Sequence, residues 1–211
     1  MIAYLPLMLK ACATTLWLSW LAMLLGAVGG AALALLRLSR FAAIRWIAIL
    51  YMEFFRSIPI LIVMFFAYYG TPLVFGFDIS PFVAATLALA LHASATMSEV
   101  VHAGIASIGR GQWEAASAFG LRWTQTMRLV IAPQALRVIL PPSIGVFITT
   151  LKESSLASII GFIELTRTGL LVRDATGGGF LPLLALGAMY FAMNYAISTA
   201  GGALEQRYRI A

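Results

Sequence analysis

Four long stretches without a formally charged residue constrain the fold of this chain more than any other feature of its sequence. They cover residues 11–36, 57–77, 79–98 and 175–204 of the 211. A helix needs about 20 mostly apolar residues to cross the hydrocarbon core of a bilayer. Because 62% of the residues are hydrophobic and only 10% are charged, these stretches predict a multi-pass, all-α membrane protein. They exclude a soluble globule, a disordered chain and a disulfide scaffold, since Cys12 is the single cysteine.

A fifth membrane span is interrupted by two charged residues. Residues 138–151 are uncharged but too few to cross a bilayer alone, and Lys152 and Glu153 follow them directly. Because the apolar pattern then resumes, residues 138–157 are interpreted as one helix with a charged pair near its end. The predicted spans are residues 12–36, 57–76, 81–104, 138–157 and 180–203.

The first span carries three closely spaced glycines, Gly26, Gly29 and Gly30. Small residues on a transmembrane helix let the backbone of a neighbouring helix approach closely. We therefore expect tight helix packing on this face rather than contact with a transported molecule.

Lysine and arginine residues are distributed unevenly between the two sides of five alternating spans. One side carries Arg37, Arg40, Arg45, Arg56, Arg110, Arg122, Arg128, Arg137, Arg207 and Arg209. The opposite side has Lys10, Arg167 and Arg173, with Lys152 near it. Basic residues accumulate on the cytoplasmic side of membrane proteins. We therefore predict an outside N-terminus and a cytoplasmic C-terminus, and the net charge of +6 indicates membrane orientation rather than a nucleic-acid partner.

This topology divides the chain into three parts. Residues 1–11 form a short external segment, residues 12–204 the transmembrane domain, and residues 205–211 a cytoplasmic tail. Within the domain, residues 105–137 form the one long cytoplasmic loop. Long loops in compact domains are uncommon unless they have a function, so this loop is the first candidate for a functional segment.

The long loop contains a spaced motif of small and charged residues. Its members are Glu114, Ala115 and Ala116, then Gly120 after three positions, then Pro133 after twelve more. We expect a short helix with Glu114 in its first turn, where the helix dipole stabilises a carboxylate, and a sharp turn at Gly120. A second short helix is expected over residues 124–130, closed by Pro133. Such a unit fits a partner's groove, and the alternative interpretation is a solvated amphipathic loop.

This motif resembles the EAA loop of bacterial ABC importer permeases, which reads Glu-Ala-Ala, three residues, Gly, nine residues, Ile, one residue, Leu-Pro. The glutamate, alanines, glycine and proline named above match that pattern. Val130 and Ala132 stand where the family usually has Ile and Leu, and both remain apolar. The loop also precedes the penultimate span, as it does in the family.

Further segments resemble the polar amino acid branch of that family, which imports histidine, glutamate or aspartate, glutamine, arginine or opines. They are residues 14–16, 54–59, 98–105, 111–116 and 151–156. The second of these has Arg56-Ser57-Ile58-Pro59 where the family more often has Arg-Gly-Thr-Pro, and the third has His102-Ala103 before Gly104 instead of Arg. The Arg-Ser-Ile-Pro segment is similar to some acidic amino acid permeases, which favours glutamate or aspartate as the substrate.

The resemblance implies a type I ABC importer permease fold and a transport subunit rather than an enzyme, without catalytic or metal-binding residues. ATP and Mg would be bound by a cytoplasmic ABC ATPase dimer, and this chain has no phosphate-binding loop of its own. The other implied partners are a second permease subunit, identical or homologous, a periplasmic or lipid-anchored amino-acid-binding protein, and membrane lipid. The implied location is the bacterial cytoplasmic membrane. The segment from Glu114 to Gly120 would receive ATPase closure, and rocking helices would switch access.

Charged residues within or beside the spans are the candidates for substrate or pore contacts, because an unpaired charge in hydrocarbon is costly. Glu153 is expected to meet a substrate ammonium group or to form a structural ion pair, and Lys152 to extend outward. Glu99 is expected to pair with an inner arginine or to gate the pore, and Arg56 to hold its loop or contact anionic headgroups. For His92, an interhelical hydrogen bond is favoured over a proton relay. The two histidines lack metal-ligand spacing, which excludes a zinc site.

Two other function classes compete with an ATP-driven importer. An ion-gradient-driven secondary transporter or channel predicts inverted repeats and broken midmembrane helices in both halves, and the sequence shows neither. A membrane-embedded enzyme requires converging catalytic side chains, and His92, Glu99 and Glu153 form no recognised set. The sequence therefore favours a permease subunit that moves a polar amino acid.

Overall fold

The computed structural model describes residues 2–208, which form helices and turns with no strand in that range. In the first half, α1 is Leu5–Arg37, α2 is Ala42–Ser57, α3 is Ile60–Phe65, α4 is Thr71–Phe75 and α5 is Pro81–Ala106. In the second half, α6 is Arg110–Ala118, α7 is Trp123–Thr126, α8 is Ala132–Glu153, α9 is Leu165–Ala175 and α10 is Leu181–Tyr208. Wider π-helical turns at Phe66–Gly70 and Met127–Ile131 join α3 to α4 and α7 to α8, and a 3-10 turn at Ser154–Ser158 continues α8.

Four uninterrupted helical segments are long and apolar enough to cross a bilayer. They are Leu5–Arg37, Pro81–Ala106, Trp123–Ser158 and Leu181–Ala203. A fifth candidate is the pair Ala42–Ser57 and Ile60–Phe75, whose axes are bent by 101°. With this bent pair counted as one span, the predicted all-α fold with five membrane spans is confirmed.

The second predicted span, residues 57–76, corresponds to the helical segment Ile60–Phe75, which follows α2 at a bend of 101°. The chain breaks at Ile58 and Pro59, whose ψ angles of 131° and 129° are extended. A proline disfavours helical backbone in the residue before it, so α2 ends there and α3 begins after it. Arg56 lies in the last turn of α2, just before this break and three residues ahead of Pro59, which caps α3.

The fourth span begins earlier in the sequence than expected, because Pro133 does not close a short helix. Helical structure runs without interruption from Trp123 to Ser158. A proline inside a helix lacks an N–H and clashes with the carbonyl four positions earlier. The π turn directly before Pro133 widens the helix, and the N–H of Ala132 bonds to the carbonyl of Met127 five positions back. The wider turn accommodates the proline, and the helix continues.

The ends of the spans also differ in position from the sequence-based boundaries. Helix α1 begins at Leu5, so most of the segment expected to be external is helical. The loop expected over residues 105–137 shortens to residues 107–122, which contain α6. Helix α10 continues to Tyr208, and the rest of the expected tail, including Arg209, lies outside the described residues.

Helices α1 and α5 form the most extensive helix contact in the described chain. A Cβ atom added to Gly26 would lie 2.6 Å from Cβ of Ala93, and one added to Gly30 would lie 2.5 Å from Cβ of Met97. At Gly29 the corresponding distance to Ser94 is 3.2 Å. Only glycine permits so close an approach, so the predicted role of the three glycines in helix packing is confirmed.

Three apolar clusters extend from this contact. The first joins α1, α3 and α5 to the residues around the 3-10 turn. The second joins α5 to the π turn and α8. The third joins α1 to α9 and, through partly buried side chains, to α10. The tight contact of α1 and α5 is therefore the centre on which the remaining helices pack.

We predict that Gly30→Ala destabilises the protein even though alanine is the better helix former by about 1 kcal/mol. The added methyl group collides with α5, and such overpacking costs about 1–3 kcal/mol. Gly187→Ala is the matched control, since Gly187 lies in α10 with no atom within 4 Å of an added Cβ. Thermal unfolding of the purified protein measures both variants. Equal melting temperatures for the two variants would contradict the packing assignment.

Candidate functional site

The segment expected to contact a partner is folded as a short exposed helix with a sharp end. Glu114 and Ala115 are exposed on α6, whereas Ala116 is buried with 4% of its surface accessible. Glu114 is the fifth residue of α6, so it lies beyond the first turn in which it was expected. Gly120 has a φ of 73°, in the left-handed region that glycine adopts without steric penalty. The chain therefore reverses immediately after α6.

Two contacts hold α6 against the membrane helices. Trp113 packs on the apolar cluster that includes Met127. The side-chain amide of Gln134 donates a 3.1 Å hydrogen bond to Oε1 of Gln112 and a 2.8 Å bond to the carbonyl of Val130. Because Gln134 lies in the first turn of α8, these contacts tie α6 to α8. The sequence had not singled out either glutamine.

Large aromatic side chains remain exposed beside the turn at Gly120. Phe119 is 86% exposed and Trp123 is 53% exposed. Pro133, by contrast, lies inside the continuous helix formed by α7 and α8. Exposed apolar side chains next to charged residues are typical of protein interaction surfaces. Glu114, Ala115 and Phe119 are thus among the exposed residues of this segment.

Glu99 forms an ion cluster where α1, α2 and α5 meet. Its Oε2 lies 3.0 Å from a guanidinium nitrogen of Arg37 and 3.8 Å from one of Arg56. The Arg37 side chain is only 13% exposed, whereas those of Glu99 and Arg56 are about half exposed. The ion pair expected between Glu99 and an arginine is thus confirmed. Arg37 is the last residue of α1, and Arg56 lies in the last turn of α2. Glu99 compensates the charge that each arginine would otherwise bring unpaired into the helix bundle.

A cavity of about 250 Å³ lies between α5 and α8. Its lining residues are His92, Ala93, Thr96, Pro142, Gly145, Val146, Thr149, Thr150 and Glu153. Of the four predicted substrate or pore contacts, Glu153 lines this cavity. Lys152 is exposed beside it, and Glu99 and Arg56 belong to the ion cluster.

His92 and Glu153 face each other across the cavity wall. The Nδ1 atom of His92 lies 3.0 Å from the carbonyl oxygen of Phe55, and Nε2 lies 3.6 Å from Oε1 of Glu153. A carbonyl oxygen only accepts, so Nδ1 carries a proton and donates the expected interhelical hydrogen bond. In the neutral ring Nε2 is then an acceptor that faces a second acceptor. A proton on Nε2, or an ammonium group placed between the two residues, would satisfy both.

Three threonines add further acceptor atoms to the cavity. The hydroxyls of Thr96, Thr149 and Thr150 donate to the carbonyls of the residues four positions earlier, at 3.2, 3.0 and 3.0 Å. Their protons are therefore engaged, and their oxygen lone pairs remain. No lysine or arginine is among the lining residues. The polar atoms of the lining are therefore those of one carboxylate, one imidazole and three threonine hydroxyls.

These threonines are functional candidates that sequence reasoning missed. Thr149 and Thr150 precede Glu153 by four and three positions, a spacing that places all three on neighbouring parts of one helix surface. That spacing was the available signal. Thr96 on α5 gave no comparable signal, because only the packing of α5 against α8 brings it to the same cavity.

A second buried carboxylate, Glu164, also escaped sequence reasoning. It accepts hydrogen bonds from the backbone N–H groups of Thr166 (2.8 Å) and Arg167 (2.7 Å) and from the Tyr190 hydroxyl (2.9 Å). Burial raises the pKa of Glu164 above its ordinary value, and the two backbone hydrogen bonds oppose that shift. Glutamate is not among the residues usually found at an N-cap, so the sequence offered no clear signal for this role. Glu164 caps α9 and joins it to α10 through Tyr190, which is a structural role.

Metal binding has no obvious basis in the described part of the chain. Within residues 2–208, no group of three His, Cys, Asp or Glu side chains is arranged to hold a metal ion. Glu99 instead pairs with Arg37, and Glu153 faces His92.

Comparison with known proteins agrees with these features. Residues 22–210 match the family described as "Binding-protein-dependent transport system inner membrane component". The chain is 34% identical to the probable amino-acid ABC transporter permease protein YckA of Bacillus subtilis (strain 168), with 96% of this chain and 89% of that protein covered. It is 33% identical to the arginine transport system permease protein ArtQ of the same strain, with 99% and 95% covered.

A solved structure shows the same fold. The structure titled "Crystal structure of an amino acid ABC transporter with histidines" contains a chain 37% identical to this one. The two superpose with a TM-score of 0.92 over 98% of this chain and 96% of the other. The similarity therefore covers the exposed segment at α6 and the cavity between α5 and α8 together.

Proposed function

The chain belongs to the family of binding-protein-dependent transport system inner membrane components, and on this premise we propose that it imports a polar amino acid as the permease subunit of an ABC transporter. In this family the permease is a transport subunit and not an enzyme. ATP hydrolysis takes place in a separate ATPase subunit. The relatives named amino-acid ABC permeases support this function over an ion-gradient-driven transporter or channel.

The observation that supports this function best is that one helix connects the two candidate sites. The start of α8 is bonded to α6 through Gln134 and Gln112, and its last residue is Glu153 in the cavity. With 22 residues, α8 is roughly 33 Å long at about 1.5 Å per residue. A movement imposed on α6 therefore reaches the cavity through a continuous helix. This is the geometry that an importer needs to couple ATPase closure to a change of access.

The partners follow from this division of labour. A cytoplasmic ABC ATPase dimer binds ATP and Mg and contacts the face formed by Glu114, Ala115 and Phe119. A second permease subunit, identical or homologous, completes the pore, and a periplasmic or lipid-anchored binding protein delivers the amino acid. The chain is a multi-pass membrane protein, and we place it in the bacterial cytoplasmic membrane in contact with lipid. This chain itself then requires no cofactor.

The acceptor-rich cavity supports recognition of a substrate's positive charge. An ammonium group between His92 and Glu153 donates to both and removes the unfavourable approach of two acceptors at 3.6 Å. Because no cation lines the cavity, it offers no partner for an acidic side chain. A neutral or basic polar amino acid fits this site better than glutamate or aspartate, which were favoured by residues 56–59 outside the cavity.

We predict that Glu114→Lys reduces amino acid uptake by at least about tenfold, the scale expected when one charge of an interface pair is reversed. Uptake is measured in vesicles that contain the complete transporter. Glu205→Lys is the matched control, because Glu205 is an exposed glutamate of α10 outside the segment at α6. Wild-type uptake by the Glu114 variant, with normal assembly, would rule out the coupling role.

We predict that Glu153→Gln raises the substrate concentration for half-maximal transport about tenfold or more. Loss of a hydrogen bond to a charged group costs about 1.5–3 kcal/mol, and the amide still fills the same volume. Lys152→Gln is the control, since Lys152 is adjacent but exposed outside the cavity. If the Glu153 variant keeps wild-type transport kinetics, the carboxylate has only a structural role.

The distribution of basic residues predicts the orientation of the chain. A reporter enzyme that works only in the cytoplasm should be active when it is fused at the C-terminus, because the positive-inside rule places that end inside the cell. A reporter fused before Lys10 should read as external. A periplasmic signal from the C-terminal fusion would overturn the proposed orientation.

A further inference from the structure

An apolar groove separate from the substrate cavity lies between α1, α5 and α8. Its volume is about 460 Å³, and Ala27, Ala31, Met97 and Leu136 are among the residues that line it. Ser143 is the only lining residue with a hydroxyl, and that hydroxyl donates to the carbonyl of Ile139 at 2.7 Å. Water would find almost no hydrogen-bond partner here. The groove therefore suits an apolar chain.

The groove adjoins a second depression of about 550 Å³ with a different character. Leu35 lines both depressions, and Ser39, Arg40 and Trp123 line the second. The guanidinium carbon of Arg40 lies 5.0 Å from the ring centroid of Phe41. No acidic residue lines either depression. The exposed charge of Arg40 therefore stands uncompensated at the mouth of an apolar groove.

We propose that the two depressions together bind one anionic phospholipid, with an acyl chain in the groove and the phosphate at Arg40. The apolar wall matches the acyl chain, and an arginine makes charge-assisted hydrogen bonds to phosphate oxygens. Trp123 and Phe41 line the second depression and are exposed. Aromatic side chains are enriched at the headgroup level of a membrane. Anionic lipids are attracted to basic residues at the cytoplasmic surface, the side on which Arg40 is predicted to lie.

Charge complementarity distinguishes this ligand from a second protein chain. A protein surface that covered both depressions would need an apolar ridge that ends in a carboxylate or a phosphorylated side chain. One phospholipid molecule carries an acyl chain and an anionic phosphate next to each other, which matches the two neighbouring depressions. The lipid would also touch Trp123, which begins the helix that follows Gly120, so its headgroup borders the segment at α6.

Native mass spectrometry of the assembled transporter tests the headgroup site. We expect the wild type to retain phosphatidylglycerol in preference to phosphatidylcholine when both are supplied in equal amounts. Arg40→Gln should weaken phosphatidylglycerol retention about fivefold, the effect of one cation near an anionic headgroup. Arg45→Gln is the matched control, because Arg45 is an exposed arginine that does not line the mouth. Equal retention of the two lipids, or equal loss in both variants, would overturn the proposal.

A second pair of variants tests the groove. Ala31→Phe fills it and should abolish lipid retention, whereas Ala32→Phe places the same ring on an exposed neighbour outside it and should not. Assembly of each variant is checked by size-exclusion chromatography. A photo-crosslinking residue in place of Leu136, which is 53% exposed in the groove wall, should capture lipid. Capture of the second permease subunit, or of nothing, would overturn the proposal.

Discussion

The close crossing of α1 and α5 is the contact on which the rest of the fold depends. Lipid chains are as apolar as leucine, so helices in a bilayer associate mainly through van der Waals packing and hydrogen bonds. Gly26 and Gly30 bring the two backbones close enough for such packing to hold. This contact fixes α5, which then presents His92 and Thr96 to α8 on one side and Glu99 to two arginines on another.

Three acidic side chains packed among the helices have identifiable partners. Glu99 has Arg37 and Arg56, Glu153 faces His92, and buried Glu164 is surrounded by hydrogen-bond donors. The first and third sets are complete in the chain itself, which suits a structural role. The pair at Glu153 is different, because Nε2 of His92 and Oε1 of Glu153 are 3.6 Å apart and border a cavity. This open space beside a carboxylate is the reason why the cavity is the proposed substrate site.

The long helix that contains α8 has two irregularities in its backbone hydrogen bonding. A π turn allows Pro133 to enter it, and Pro141 and Pro142 interrupt its backbone hydrogen bonds near the cavity. Proline positions in transmembrane helices are tolerated where neighbouring groups or cavities accommodate the freed carbonyls. The helix thus carries the contact with α6 at one end and the cavity wall at the other. The proposed coupling would accordingly use movement of whole helices, one of the known modes of conformational switching.

The membrane class, the number of spans and the spaced motif on α6 could be read from the sequence, because charge-free length and motif spacing are local properties. The sequence also identified Glu153, Glu99 and the glycines of α1 as special. It placed Glu114 and Pro133 in the wrong local settings, because the start of α6 and the π turn depend on backbone geometry. The pairing of the charged residues follows from the packing of the helices. The same packing brings Thr96 together with Thr149 and Thr150 at one cavity. This convergence depends on the crossing of α5 and α8, which the spacing of residues within one segment does not determine.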